Sequence, residues 1–228
     1  MNTISIELLR RLREDRDITQ EQMADKLAIS RQSYLSIEQG KRGLTFEEAV
    51  MVAEMLGVSV NQLANGLIPN DEKYRQMIFA FIKDASGNDG KIPKTKLAKL
   101  LYLADFGWFY EHLQSMSGMS YRKIQYGPVP DPFFRIVEEA FESGDLNIAP
   151  TKAGAMLISV SDAGSRMGTD MLSNDEKKLI KQIAQKWKKK RTSEIVAFTH
   201  KQLPYSICAD GEIIPYELIT QEDPEYVC

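Results

Sequence analysis

Apolar residues recur at helical spacing through the first third of the chain, broken by residues that start and stop helices. In ITQEQMADKLAISRQSYLSIEQGKR (Ile18 to Arg42), Met23, Ala24 and Leu27 share one face. Thr19 and Gln22 have capping-box spacing, so a short helix is predicted from Gln20. Ala28 and Ile29 fall in a turn. Ser30 is placed to cap a second helix, with Tyr34 and Ile37 pointing inward and Arg31, Gln32 and Ser36 outward. Gly40 ends that helix, and Lys41 and Arg42 follow in a loop. Thr45 with Glu48 predicts a helix to Leu56, stopped by Gly57. Ser59 with Gln62 predicts another, ending near Gly66.

The stretch Gly66-Leu67-Ile68-Pro69-Asn70-Asp71 marks a domain boundary, with Pro69 breaking the preceding helix. This gives two domains, 1–68 and 72–228, and a mainly α fold. The second is mostly helical α+β with a few short strands. Helices are predicted from Glu72 to Ser86 and from Lys94 to Leu113. In the latter, Leu97, Leu100, Leu101, Ala104 and Trp108 form one stripe. Leu103, Phe106, Phe109 and Leu113 occupy other faces, as in a buried helix. Tyr121 to Tyr126 reads as a strand and Gly127-Pro128-Val129-Pro130 as a rigid turn. Asp131 with Pro132 opens a helix to Glu142, stopped by Gly144. Leu146 to Ile148 and Met156 to Val160 are strand candidates. Ser173 with Glu176 opens a helix to about Lys190, and Thr192-Ser193-Glu194 caps one to about Lys201. Leu203 to Leu218 reads as irregular or short helix, and the last ten residues as frayed.

Composition narrows the class. The 228 residues are 43% hydrophobic with a net charge of −3, which excludes a globally basic nucleic-acid coat. No apolar run approaches the roughly 18 residues that span a bilayer, so no membrane association is expected. The chain opens on an amphipathic helix, so no signal peptide is expected. Cys208 and Cys228 are too few for a disulfide framework, and reduced thiols in a cytoplasm are expected.

Two short helices joined by a tight turn, the second with a polar outward face, are the geometry that enters a DNA major groove. Arg31 can donate twice to guanine, and Gln32 can pair with adenine. Gln20 and the backbone amides beside it can donate to a phosphate, as can Lys41 and Arg42. The DNA-binding set is Gln20, Ser30, Arg31, Gln32, Ser36, Lys41 and Arg42. Residues 1–66 hold 8 Lys and Arg against 10 Asp and Glu. That balance keeps open a docking or dimerisation module that has lost DNA binding. The outward face itself carries Arg31, Gln32, Lys41 and Arg42, and local sign matters more than the total.

The run resembles the helix-turn-helix of the phage repressor (Cro/CI, XRE) family. The matching residues are Thr19-Gln20, Ala24, Leu27, Ser30-Arg31, Ile37-Glu38 and Gly40-Lys41-Arg42, within residues 4–66. The resemblance implies a five-helix domain and an ion pair between Arg13 and Glu38. Ala28 departs from the glycine usual in the turn, and a left-handed alanine there costs about 1 kcal/mol.

Residues 75–215 resemble the SocA-like, or Panacea, domain. The resemblance rests on Lys99-Leu100-Leu101-Tyr102-Leu103-Ala104-Asp105, on Tyr126-Gly127-Pro128-Val129-Pro130, and on Ser193-Glu194-Ile195 with His200 and Pro204-Tyr205. Tyr205 stands where the family often has Trp. The resemblance implies an antitoxin module that neutralises a small protein toxin by binding it, with the helix-turn-helix serving autoregulation. Partner-binding candidates are Tyr102, Asp105, Tyr126 and His200. The expected partners are operator DNA, a cognate toxin and a second copy in a homodimer.

Rival readings stay open at several residues. Asp105, in the most apolar helix, is either a toxin anchor or held internally by Tyr126, His200 or a loop amide. Two histidines and two cysteines give no metal spacing, and no cofactor is expected. Cys208 and His200 lack an orienting acid, and no motif unites nucleophile, base and oxyanion donors, so no enzyme is expected. The basic run Lys186 to Arg191 meets either its own helix dipole, DNA phosphates or an acidic partner. The alternative function is a phage- or operon-type regulator whose second domain senses a ligand or another protein.

Overall fold

Helix starts in the amino-terminal unit are set by side chains three residues away. The computed structural model describes residues 6–58, 60–65, 68–152 and 154–228. It divides into two units, Met1–Ile68 and Pro69–Cys228. Unit one contains α1 (Ile6–Asp15), α2 (Gln20–Lys26), α3 (Arg31–Glu38), α4 (Phe46–Met55) and α5 (Val60–Asn65). The Thr19 hydroxyl accepts the Gln22 N–H at 3.1 Å, and Gln22 Oε1 accepts the Thr19 N–H at 2.8 Å. Thr45 and Glu48 repeat the exchange at the start of α4. The Ser30 hydroxyl accepts the Ser33 N–H at 3.2 Å. The expected cap at Ser59 and the stop at Gly66 lie outside the described residues.

The core of this unit gathers Leu9, Met23, Tyr34, Ile37, Val52, Leu56 and Leu63, all buried. Each large aliphatic side chain taken from water contributes roughly 1.5–3 kcal/mol. Ala28 adopts φ 53°, so the turn between α2 and α3 is left-handed at a residue with a Cβ.

Unit two runs α6 (Asp71–Ala85), β1 (Ile92–Pro93), α7 (Lys94–His112), β2 (Tyr121–Arg122), β3 (Val129–Pro130), α8 (Pro132–Glu142), β4 (Leu146–Pro150), β5 (Met156–Val160), α9 (Asn174–Trp187), α10 (Thr192–Lys201) and α11 (Leu203–Ile207). The antiparallel sheet has the order β1-β5-β4, with Ile158 opposite both Ile92 and Ile148. The β2–β3 ribbon sets Tyr121 opposite Pro130. Helix α7 is the centre: it packs on α6, α9 and α10, and Leu97, Leu100, Leu101, Leu103 and Phe106 are all buried. Among the described residues no helix is long and apolar enough to cross a membrane.

Four local expectations are corrected. The strand from Tyr121 stops at Arg122, because Lys123 and Ile124 bond to segment 205–212 instead: the Lys123 N–H donates to Glu212 O at 2.8 Å, and Ile124 O accepts the Tyr205 hydroxyl. Asp131 makes no side-chain cap; its carboxylate accepts Arg122 Nη2 at 3.0 Å. Helix α10 is capped from Arg191, whose N–H donates to Glu194 Oε2 at 2.7 Å, and not from Thr192 or Ser193. The tail is anchored, not frayed. Val227 is buried, and the Gln202 amide donates to Tyr226 O at 2.6 Å and Val227 O at 2.8 Å.

Candidate functional site

In the helix-turn-helix, Glu38 ties α1, α2 and α3 together. Its carboxylate accepts Arg13 Nε at 2.6 Å, Arg13 Nη2 at 3.4 Å and Gln20 Nε2 at 2.8 Å. Burial pushes the Glu38 carboxyl up, but the bonds from Arg13 and Gln20 outweigh it and hold it below the ordinary glutamate value. The Arg13 guanidinium also donates to Ile18 O at 2.9 Å, which fixes the chain leading into α2. The angle between α2 and α3 is therefore set by a buried charge network as well as by Tyr34 and Ile37.

The expected DNA-contact residues fall into two groups. Arg31 and Gln32 are exposed at the first turn of α3, and Lys41 is exposed in the loop after it. Ser30 is exposed as the cap of α3. The others are engaged within the unit. Gln20 is half-buried, gives its amide N–H to Glu38, and receives Arg31 Nη2 on Oε1 at 3.4 Å. The Ser36 hydroxyl donates to Gln32 O at 3.0 Å and is half-buried. Arg42 Nη2 meets Glu48 Oε1 at 2.6 Å, the carboxylate that also closes the cap of α4. Gln39, which the sequence reading missed, is exposed two helical turns beyond Gln32 and one beyond Ser36. The i, i+4, i+7 spacing was the available signal.

In unit two, the three sequence blocks meet around α7. Lys99 is 2% exposed and donates to Pro128 O at 2.8 Å. Burial pushes its ammonium down to about 7. Gly127 sits against it at φ +95°, where a Cβ would lie 2.6 Å from Lys99 Cε and 3.0 Å from His200 Nε2. The His200 ring stacks on Tyr205 at 4.4 Å, and the Tyr205 hydroxyl donates to Ile124 O at 2.9 Å. Lys123 Nζ lies 4.7 Å from the centroid of the Tyr205 ring and donates to Cys208 O at 2.8 Å. Burial, then Lys99 and Lys123, push His200 below its ordinary value.

Asp105 is fully buried. It accepts the Ser117 N–H at 2.8 Å, the Tyr121 hydroxyl at 2.8 Å, the Ser115 hydroxyl at 3.1 Å and the Ser117 hydroxyl. The loop-amide expectation holds; Tyr126 and His200 are not its partners. Tyr102 is also fully buried, against Phe106 at 4.3 Å and Tyr121 at 5.5 Å. Of the four partner-binding candidates, Tyr126 is 66% exposed, His200 is half-buried, and Tyr102 and Asp105 present no surface. Burial pushes the Cys208 thiol up, which disfavours a reactive thiolate. No group of three or more metal-ligating side chains occurs among the described residues.

Residues 9–63 match the helix-turn-helix family, and residues 97–204 match the family described as Antitoxin SocA-like, Panacea domain. The chain joins an XRE-type helix-turn-helix to a SocA-like domain. It is 35% identical over 60 residues to the uncharacterized HTH-type transcriptional regulator YqaE of Bacillus subtilis, covering 26% of this chain. The chain spans about half the length of that relative, 52%. No solved structure matches. The SocA-like match begins inside α7 and ends inside α11, so it encloses Lys99, Gly127 and His200.

Proposed function

We propose that this chain is the antitoxin of a type II toxin–antitoxin pair that also represses its own operon. The helix-turn-helix reads a palindromic operator as a homodimer, with half-sites about 34 Å apart. Arg31 and Gln32 read base edges from the start of α3, and Lys41 holds a phosphate. The SocA-like domain neutralises a protein toxin by stoichiometric binding in the cytoplasm, without chemistry or cofactor. The observation that carries this reading is the exposure of Arg31 and Gln32 at the first turn of α3, in a chain whose residues 97–204 match the antitoxin family.

The test has two arms. Gel shifts of the full chain on the DNA upstream of its gene, against random duplex, check repression. Co-expression with the adjacent open reading frame, followed by pull-down, checks neutralisation. A neighbour toxic alone and harmless in a 1:1 complex with this chain is expected in about equal stoichiometry. A harmless neighbour with operator binding intact would instead select the regulator that senses a ligand or another protein.

A further inference from the structure

The junction of α9 and α10 closes one side of a cleft of about 420 Å³ in unit two, and β1 with the first turn of α7 closes the other. Lys91, Lys188, Lys190 and Arg191 line it, with Lys96 beneath them, and no carboxylate is among its lining residues. Five cationic side chains on one concavity make it a positive site, although Lys188 Nζ also donates to Asp84 O at 3.3 Å. The floor is apolar: Pro93 keeps exposed surface there, with Ala85 and Ile92 buried behind it.

The arrangement of Lys96 is the informative part. The residue is 5% exposed, and Nζ donates to Lys188 O at 3.1 Å and Lys190 O at 2.7 Å. Those carbonyls follow the end of α9, where the partial charge is negative and would turn an anion away. Lys96 neutralises them from inside the fold. On the other side, α10 begins at Thr192, which lines the cleft; ahead of it the Arg191 N–H is already held by Glu194 Oε2 at 2.7 Å. The cleft therefore has the Thr192 hydroxyl and the exposed Lys91, Lys188, Lys190 and Arg191 at its mouth.

We propose that this cleft binds a small phosphorylated ligand of the nucleoside di- or triphosphate class. The phosphates meet Lys188, Lys190, Arg191 and the Thr192 hydroxyl, and the base lies against Pro93. A volume of this order suits a nucleotide. A duplex backbone is a convex, repeating array and has no use for an apolar floor or a buried Lys96. Glu194 is the acid nearest this rim, 3.6 Å from Lys190 and 3.5 Å from Arg191. Such exposed pairs are worth about 0–1 kcal/mol and yield to a polyphosphate. Asp89 is committed to the Lys91 N–H at 3.2 Å. This site is independent of operator reading and of toxin capture.

Calorimetric titration of the full chain with ATP, inorganic pyrophosphate and adenosine tests it. ATP is expected to bind at least tenfold more tightly than adenosine, and pyrophosphate to compete with ATP. Lys188→Gln with Lys190→Gln is expected to weaken ATP at least tenfold. The control pair Lys178→Gln with Lys181→Gln, exposed on α9 and equal in charge change, leaves ATP binding unchanged. Equal affinity for ATP and adenosine, or equal losses in both variant pairs, overturns the proposal. So does a cleft pair that lowers the salt slope on random duplex DNA while ATP shows no phosphate-dependent binding. Operator gel shifts on the same samples show separately whether the helix-turn-helix reading stands.

Discussion

Arg13 Nε lies 2.6 Å from Glu38 Oε1, with both side chains withdrawn from water. Removing one partner leaves the other charge buried, at a cost of about 3–5 kcal/mol. Arg13→Ala is therefore expected to abolish cooperative unfolding of unit one in urea. Glu38 titrates below its unfolded value, so its contribution is present above the ordinary glutamate range. It is lost as pH falls through the folded value. Glu38→Gln should flatten the acid side of the stability–pH curve; an unchanged acid limb would refute the coupling.

Arg31 is exposed at the start of α3 and donates a long bond, 3.4 Å, to Gln20 Oε1. Arg31→Ala is expected to weaken operator binding by about 1–3 kcal/mol, the worth of a bidentate base contact. Random duplex should lose far less. Equal losses on both, measured by fluorescence anisotropy, would reassign Arg31 to the phosphates.

Lys41 is exposed in the loop after α3. Lys41→Ala should weaken operator and random DNA alike and lower the slope of log K against log salt by about one. A loss confined to the operator would contradict a phosphate role. Arg42 is expected to matter less, because Glu48 already holds it at 2.6 Å.

Ala28 has φ 53°. A left-handed alanine costs about 1–2 kcal/mol, and glycine returns about 0.4–1 of that through the unfolded chain. Ala28→Gly is expected to stabilise unit one by roughly 0.5–1 kcal/mol in thermal unfolding. Destabilisation would mean that the Ala28 methyl group makes packing worth more than the strain.

Asp105 is surrounded by donors without a cation, and burial pushes its carboxyl up despite the bonds from Ser117 and Tyr121. Asp105→Ala leaves several donors unmatched at about 1–3 kcal/mol each. Asp105→Asn should cost less, because hydroxyls can reverse while the Ser117 amide keeps an oxygen. The folded carboxyl takes up its proton above the unfolded value. Wild type therefore loses stability as pH rises through that interval, and the Asn variant does not. An Asn variant whose stability varies with pH as the wild type's does would refute this assignment.

Legibility followed distance along the chain. The boxes at Thr19–Gln22, Thr45–Glu48 and Ser173–Glu176 were readable because donor and acceptor lie three residues apart. Helix α7 was readable from its apolar faces. Lys96 and Lys99 were not, since their acceptors are backbone carbonyls at Lys188, Lys190 and Pro128, which carry no residue-type signature. Arg42 looked free because a loop arginine before a helix matches a phosphate contact as well as it matches Glu48. The tail looked frayed for want of apolar periodicity, but Gln202 fixes it through carbonyls that any sequence would supply.

That last contact carries a timing constraint. The amide of Gln202, 1% exposed, finds its acceptors only at Tyr226 and Val227. During synthesis the corner beneath α10 stays open until those two residues leave the ribosome. The helix-turn-helix unit, finished some 160 residues earlier, can mature first, as leading domains do. The first unit would thus complete its core before the second half has shut.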